Sequence, residues 1–279
     1  MEKSYADNVD SKMQKLSEIL SNMGKVAVAF SGGVDSTFLL AAAAEVLHDN
    51  VIAVTAMSPA FPEREVSEAL DFARSIGVRH ITFEFDPLSV NGVSHNPENR
   101  CYLCKKAIFS KIVEIAGQNG IIHIADGSNM DDIGDYRPGM QALKELGIAK
   151  PLLDAGMTKD DIRKLSQSMG LPTWNKPSYA CLATRIPYGQ EITTKKLHMI
   201  DVAEQYLMDI GFRQVRVRYH GDIARIEVAV EERSRFFDTG LMDKVHESLS
   251  NIGFKYVTLD LKGYRTGSMN TGMNQKNNE

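Results

Sequence analysis

Short apolar runs alternate with longer amphipathic segments in the first part of the chain. The runs at residues 25–30, 51–57, 80–85 and 121–125 have the length and the valine and isoleucine content of buried strands. The segments at 38–47, 63–77 and about 102–116 have helical composition. Strands that alternate with helices predict an α/β fold with a doubly wound parallel sheet, whose ligands bind at the carboxyl ends of the strands.

The order of elements changes in the last third of the chain. A helix at about 194–210, strands at about 213–219 and 223–230, a helix at about 234–250 and a strand at 254–261 predict a second, smaller α+β domain. The segment 171–190 carries three prolines and no helical period, which is typical of a functional loop. We therefore expect domains at 1–190 and 191–268, and a disordered polar tail at 269–279.

Composition limits the class of protein. A chain of 279 residues with 43% hydrophobic and 24% charged content can bury one sizeable core or two. Its N-terminus is acidic and no apolar run approaches membrane-spanning length, so we expect a cytoplasmic protein without a membrane partner. Thirty-two basic and 36 acidic residues give a net charge of -4, which offers no general attraction to nucleic acid.

A glycine-containing loop, SGGVDS, joins the first predicted strand to a helix. Unpaired backbone N–H groups at a helix N-terminus favour an anion, and phosphate is the natural guest. Two glycines let the backbone approach closely, and Asp35 supplies an oxygen ligand for Mg²⁺. The candidate phosphate-binding residues of the loop are Ser31, Gly32, Gly33, Val34, Asp35 and Ser36. An ordinary strand-to-helix turn is the alternative, and no Walker A sequence follows.

Three cysteines cannot all pair within one chain, and in a cytoplasmic protein they indicate thiols, metal ligands or catalytic groups. Cys101 and Cys104 begin a predicted helix, where they share one face and the helix dipole favours thiolates. Cys181 lies in the proline-rich loop. Three thiolates suit an iron–sulfur cluster with one open iron. Zinc with His95 or His123 as a fourth ligand, a redox disulfide and unrelated thiols are the alternatives.

The segment VRVRYHGDIARIEV predicts a hairpin with a two-residue type II′ turn at Gly221 and Asp222. In this register Arg216 faces Glu227 and Arg218 faces Arg225, while apolar residues pair on the opposite face. Two opposed arginines repel by up to about 1 kcal/mol unless solvent or a bound anion relieves them. The polar face is therefore either a solvated surface or an anion site.

The loop SGGVDS resembles the signature of the PP-loop ATP pyrophosphatases, which have an adenine nucleotide alpha hydrolase-like fold. The resemblance implies that ATP is cleaved between its α and β phosphates and that AMP is attached to a substrate oxygen. A nitrogen or sulfur nucleophile then displaces AMP. The resemblance also implies that backbone near Met57 and Gly127 frames the adenosine.

Five separated segments sharpen this resemblance. The stretches RCYLCK, DGSNMDDIGDYRPG, KPSYACLATRIPYG, VRVRYHGDIARIEV and GYRTGSMN resemble the LarE family. The resemblance implies an ATP-dependent sulfur transferase that adenylates the carboxylates of pyridinium-3,5-biscarboxylic acid mononucleotide. It converts them to thiocarboxylates for the nickel-pincer nucleotide cofactor of lactate racemase. The resemblance further implies that Arg216, Arg218 and, more weakly, Arg265 hold the substrate phosphate.

The cysteines divide the family that this sequence resembles. Members with only the cysteine that matches Cys181 sacrifice its sulfur and leave dehydroalanine, whereas members with three hold a 4Fe-4S cluster. This sequence has all three, so we expect Cys101, Cys104 and Cys181 to hold a cluster, with sacrifice of Cys181 as the alternative. Lys105, which follows Cys104, is a candidate to steady the adenylate, although a solvated helix lysine is the simpler interpretation.

Three other functions compete with this interpretation. A tRNA thiolase also combines a PP-loop with cysteines, but the acidic net charge and the lack of a recognisable RNA-binding module stand against it. An ammonia-using synthetase would leave the cysteines idle. A sensor would bind ATP or a cluster without turnover. We expect ATP, Mg²⁺ and a 4Fe-4S cluster as cofactors, sulfide or another sulfur donor as a partner, and a homo-oligomer.

Overall fold

The computed structural model describes residues 2–133, 138–177 and 180–265. By its internal contacts the chain divides into two compact units. Residues 1–58, 63–90 and 99–179 form the first unit, and residues 59–62, 91–98 and 180–279 form the second. Residues 180–190 thus group with the second unit, whereas the sequence predicted a boundary after residue 190. The tail predicted at 269–279 lies outside the described residues.

Hydrogen bonds join the segment 91–98 to residues 186–192 of the second unit. The N–H groups of Gly189 and Ile192 donate to the carbonyls of Asn96 and Ser94 at 2.9 and 2.8 Å. The Asn96 amide, which is fully buried, donates to the Ile186 carbonyl at 3.1 Å. The segment 91–98 is therefore built into the second unit although it is far away in sequence.

Four parallel strands form the sheet of the first unit. They are β1 (Val26–Ala29), β2 (Val51–Met57), β3 (Arg79–Glu84) and β4 (His123–Ala125). Their order in the sheet is β3-β2-β1-β4. Strand β1 therefore lies between β2 and β4, and the strand order reverses there. In a doubly wound sheet this switch point is where ligands bind, beyond the carboxyl ends of the strands.

Helices cover both faces of this sheet. They are α1 (Glu2–Met23), α2 (Val34–Leu47), α3 (Glu63–Ser75), α4 (Arg100–Gln118), α5 (Pro138–Glu145), α6 (Pro151–Asp154) and α7 (Lys159–Ser168). Val26 and Val28 pack into the core shared with α1, α2 and α7, whereas Ala27 packs with α4 and α5. The predicted doubly wound α/β fold is confirmed, although α1 and α5 to α7 were absent from the expectations.

The second unit contains a small mixed sheet with two helices. Its elements are α8 (Thr194–Asp209), β5 (Val215–His220), β6 (Ile223–Val228), α9 (Thr239–Ile252) and β7 (Tyr256–Leu259). Strand β6 pairs antiparallel with β5 and parallel with β7. The predicted smaller α+β domain is confirmed. None of the described helices is both long enough and apolar enough to cross a membrane.

The predicted hairpin register is confirmed. Arg216 lies opposite Glu227 and Arg218 opposite Arg225, and the turn contains Gly221 at φ 66°. The start of α9 differs from the expectation of about 234, because residues 230–237 form 3-10 turns. Asp238 caps the helix by accepting a hydrogen bond from the Leu241 N–H at 3.0 Å.

Candidate active site

The loop after β1 is shaped by its two serines. The Ser31 N–H donates to the Ser36 hydroxyl at 3.3 Å, and the two hydroxyl oxygens lie 3.1 Å apart. The Ser36 hydroxyl donates to the Gly33 carbonyl at 3.2 Å. Gly33 is the N-cap of α2 and has no side chain to occupy the N–H groups of the first turn. The loop is therefore compact and leads into a helix N-terminus, as a phosphate site requires.

Two positions at this site must be glycine because a Cβ atom would contact neighbouring residues too closely. Gly32 has a φ of +72°, and a Cβ there would lie 3.0 Å from the Ala69 Cβ on α3. A Cβ on Gly127 would lie 3.0 Å from the Ser36 nitrogen. The first glycine lets the loop pass α3. The second brings the segment after β4 against the first turn of α2.

Asp35 lies in a polar network that the sequence analysis did not anticipate. Its carboxylate accepts hydrogen bonds from the Lys159 ammonium at 2.5 Å and from the Asn129 amide at 3.2 Å. Burial raises the pKa of Asp35, and the Lys159 charge opposes that shift. Lys159 is in the first turn of α7, where the helix dipole disfavours a cation, and this position was the available signal.

The two residues expected to frame adenosine lie at the same edge of the sheet. Met57 is the last residue of β2, and its carbonyl accepts from the Phe85 N–H at 2.8 Å. Gly127 follows β4. Because β2 and β4 both pair in parallel with β1, their carboxyl ends meet beside the SGGVDS loop. The structure thus brings Met57, Gly127 and the loop together, while their role stays a prediction.

Helix α4 carries the candidates Cys101, Cys104 and Lys105. Both cysteines are partly buried, and the Arg100 guanidinium donates a hydrogen bond to the Cys101 sulfur at 3.7 Å. The Lys105 ammonium lies 3.7 Å from the Asp126 carboxylate, directly after β4. Lys105 therefore reaches the edge of the sheet that carries the SGGVDS loop.

Lys176 also contacts the SGGVDS loop and was missed by the sequence analysis. Its ammonium donates to the Gly32 carbonyl at 3.2 Å and pairs with Glu65 and Glu68 on α3, each at 2.6 Å. The segment before residue 178 is thereby tied to the loop. Only the fold brings these positions together, because Lys176 follows Gly32 by 144 residues.

Cys181 lies in the second unit, and its backbone is held by Arg185. The Arg185 side chain is fully buried. Its Nη1 donates to the Ala180 carbonyl at 2.7 Å, to the Cys181 carbonyl at 3.2 Å and to the Thr184 hydroxyl at 2.9 Å. Cys181 itself is partly buried.

Glu204 on α8 holds the other side of Arg185. Arg185 Nε and Nη2 each donate to one Glu204 oxygen at 2.8 Å, and the Val217 N–H on β5 donates to Glu204 Oε1 at 2.8 Å. Burial alone would raise the pKa of Glu204. Arg185, with help from Arg216 and the Val217 N–H, holds the Glu204 pKa below its ordinary value. This carboxylate is therefore charged and joins the Cys181 loop to β5.

The candidate phosphate ligands Arg216 and Arg218 are buried, with 2% and 5% of their surfaces exposed. The Arg216 guanidinium donates to the Val215 carbonyl at 2.6 Å and lies 5.0 Å from the centre of the Tyr264 ring. Arg218 donates to the Thr184 carbonyl at 3.0 Å. The alternative of a solvated basic face is wrong, because neighbouring elements cover these side chains.

The opposed Arg218 and Arg225 are bridged by Glu227. Its carboxylate lies 2.8 Å from Arg218 and 3.0 Å from Arg225, which also pairs with Asp260. The expectation that only solvent or an anion relieves their repulsion is therefore wrong. Arg265 is exposed. Burial alone would raise the pKa of Asp260, but the Lys262 N–H, Arg225 and Arg265 hold it below its ordinary value.

Arg185, Arg216, Arg218 and Arg225 together form what we call the arginine network. Within this network Glu204 pairs with Arg185, Glu227 with Arg218 and Arg225, and Asp260 with Arg225. Burial and the nearby Arg185 charge lower the pKa of Arg216. An anion beside Arg216 would oppose this lowering of its pKa.

The three cysteines are divided between the units. Cys101 and Cys104 belong to the first, and Cys181 to the second. Within the ranges that the structure describes, no three His, Cys, Asp or Glu side chains form a group that could hold a metal ion. The three-cysteine site stays a prediction.

Comparison with known proteins adds independent information. The chain matches the asparagine synthase family over residues 17–91. It is 40% identical over 260 residues to the pyridinium-3,5-bisthiocarboxylic acid mononucleotide synthase of Lactiplantibacillus plantarum, which covers 93% of this chain and 94% of that enzyme. An uncharacterized protein from Synechocystis sp. is 40% identical over 262 residues, 94% of this chain and 98% of its own.

The similarity to the Lactiplantibacillus plantarum enzyme spans both units. An alignment that covers 93% of the chain must include the SGGVDS loop or its immediate surroundings, the cysteine segments and most of the second unit. The sequence resemblance described above is therefore confirmed. The chain belongs to the LarE family, the family of the pyridinium-3,5-bisthiocarboxylic acid mononucleotide synthase.

Proposed function

We propose that this chain is an ATP-dependent sulfur transferase that acts on pyridinium-3,5-biscarboxylic acid mononucleotide. The observation that carries the proposal is the 40% identity, over nearly the whole of both chains, to a synthase of the corresponding bisthiocarboxylic acid. Two features of the chain support it. The first unit has a loop suited to ATP phosphates, and the second has two buried arginines, Arg216 and Arg218, on one strand.

In the first step, ATP binds at the SGGVDS loop and an oxygen of the substrate carboxylate attacks the α-phosphorus. The new P–O bond forms as the bond between the α and β phosphates breaks, and pyrophosphate leaves. Mg²⁺ enters with ATP as part of the substrate. The Asp35 carboxylate fits this ion, because hard cations prefer oxygen ligands and 25% of the side chain is accessible. Lys159 and Lys105 are positioned to neutralise phosphate charge.

The substrate phosphate binds at Arg216 and Arg218 in this proposal. Arg216 and Arg218 lie two residues apart in β5 and therefore on the same face of the strand. A planar guanidinium can hold two phosphate oxygens at once. Arg265, which is exposed, is a weaker contributor.

In the second step, a sulfur nucleophile attacks the acyl carbon of the adenylate. The C–S bond forms, the C–O bond to AMP breaks, and AMP leaves. If Cys181 is the nucleophile, a thioester results. Loss of the Cys181 Cα proton and cleavage of its Cβ–S bond then release the thiocarboxylate and leave dehydroalanine.

The cysteine set fits an iron–sulfur cluster by its chemistry. All three thiols are partly buried, and cysteine sulfur is the usual protein ligand of such clusters. Cys101, Cys104 and Cys181 would be the ligands. When bound, a cluster with an open iron would hold exogenous sulfide as the nucleophile, so the chain would keep its own sulfur.

Anaerobic reaction with ATP, substrate and sulfide tests the proposed function. We expect pyrophosphate and AMP to form only with substrate, and thiocarboxylate to follow. ATP binding without substrate-dependent pyrophosphate would overturn the proposal in favour of a sensor. Mass spectrometry of the chain distinguishes the two sulfur sources. Repeated turnover with an intact Cys181, abolished by changing any one cysteine, supports the cluster, whereas loss of the Cys181 sulfur in step with product supports sacrifice.

A further inference from the structure

Cys181 is connected to the strand that carries Arg216 and Arg218 by two separate sets of hydrogen bonds. In the first set, Arg185 donates to the Cys181 carbonyl and is held by Glu204, which accepts from the Val217 N–H. Val217 lies between the two arginines on β5. Every residue in this chain of contacts belongs to the second unit.

The second set runs through Thr184. Its N–H and its hydroxyl donate to the Cys181 carbonyl at 2.9 and 2.8 Å. Its own carbonyl accepts from Arg218 Nη1 at 3.0 Å. The Cys181 carbonyl thus receives three hydrogen bonds, and both routes end on β5. The backbone that carries the thiol therefore has a defined distance from the candidate phosphate ligands.

Burial of the Arg185 guanidinium in this loop carries a desolvation cost. Arg185 has the largest fully buried side chain among the described residues, and its guanidinium donates five hydrogen bonds. A buried ion pair is often no more stabilising than apolar residues of the same volume, because desolvation offsets the attraction. Stability alone thus gives little reason for an arginine here. A requirement for defined geometry is a better reason, because the rigid guanidinium of Arg185 holds several acceptors in fixed positions at once.

We propose that Arg185 is a positioning residue for sulfur transfer, which sets the spacing between Cys181 and the phosphate-binding arginines of β5. This inference rests on the proposed function. A substrate held by its phosphate presents its carboxylate at a distance fixed by its own covalent structure. Cys181 must match that distance in the sulfur step, as nucleophile or as ligand, whereas adenylation at the SGGVDS loop does not involve it.

The test compares R185K with R235K. Both substitutions keep the charge and remove a fork that holds two carbonyls, since Arg235 donates to Ile210 and Gly211 at 2.8 and 2.9 Å in the same unit. A misplacement of about 1 Å costs about a hundredfold in rate. We expect R185K to lose thiocarboxylate formation by about that factor, with substrate-dependent pyrophosphate release within about twofold of wild type and adenylated substrate accumulating. R235K should match wild type in both steps.

Equal loss of both steps in R185K, or wild-type product formation, would overturn the inference. If R185K does not fold, the double variant R185M/E204L takes its place, because it removes the pair without leaving a buried charge. The same partition between steps is expected and the same outcomes contradict it.

Hydrogen exchange gives a readout that needs no substrate. The Thr184 N–H, bonded to the Cys181 carbonyl, should exchange at least about tenfold faster in R185K than in R235K, since the backbone there opens more often. Unchanged exchange would contradict positioning by Arg185. If wild type shows this protection but forms no pyrophosphate with the substrate, the proposed function fails and the positioning of Cys181 does not.

Discussion

At the scale of single residues, Asp35 shows how a functional group can weaken the fold. Its carboxylate is largely removed from water, and burial raises its pKa despite the Lys159 ammonium at 2.5 Å. The folded chain therefore holds the Asp35 proton to higher pH than the unfolded chain does. Above both pKa values the ionised carboxylate costs stability, and this cost disappears as pH falls through the folded-state pKa.

We expect D35N to lose pyrophosphate release by at least about a hundredfold, because Mg²⁺ loses a ligand. At neutral pH its free energy of unfolding should equal or exceed that of wild type, and the difference should shrink toward acidic pH. Denaturant unfolding at several pH values measures this. D49N, at an exposed turn, is the control for charge removal. A D35N variant that is less stable at neutral pH would contradict the argument.

Lys159 yields a second prediction at this scale. In the structure its ammonium pairs with the Asp35 carboxylate. This places it near enough to the SGGVDS loop to pair with a bound phosphate instead. A charge-assisted contact of this kind is worth about 1.5–3 kcal/mol, so K159M should weaken ATP binding or turnover by one to two orders of magnitude. K164M, which removes an exposed lysine of the same helix, should have no such effect. Equal ATP titrations for the two variants would refute this role.

At the scale of elements, the loop between β1 and α2 depends on one glycine more than on its neighbour. Gly32 has a left-handed φ and no room for a Cβ, whereas Gly33 has an extended backbone and its nearest atom would be 3.6 Å from an added Cβ. G32A should cost about 1–3 kcal/mol of stability. G33A should change it by no more than about 0.5 kcal/mol. Thermal unfolding of the pair measures this, and equal costs would show that the loop relaxes.

At the scale of the whole molecule, charge separates the proposed function from a tRNA thiolase. The net charge is -4, and Arg185, Arg216 and Arg218 of the second unit are buried rather than exposed on a surface. A polyanion therefore finds little general attraction. We expect mixed tRNA to elicit no pyrophosphate from ATP, while the mononucleotide does. Pyrophosphate release with tRNA that declines steeply with salt would favour the thiolase.

The sequence by itself determined the doubly wound fold, the hairpin register of β5 and β6, and the family. These are local or repeated signals. A buried strand has a short apolar run, a strand has a period of two, and a loop such as SGGVDS keeps its residues adjacent. Each can be recognised without knowing which distant segment packs against it.

Only the tertiary structure decided how the charges are compensated. Arg216 and Arg218 could have faced water, but packing buried them and Glu227 took the place assigned to solvent or an anion. The sequence likewise did not predict the ion pairs of Lys159 with Asp35 and of Arg185 with Glu204. A charged residue carries no mark of its partner in the sequence, because the partner is chosen by the packing of separate elements, and burial makes that choice energetically decisive.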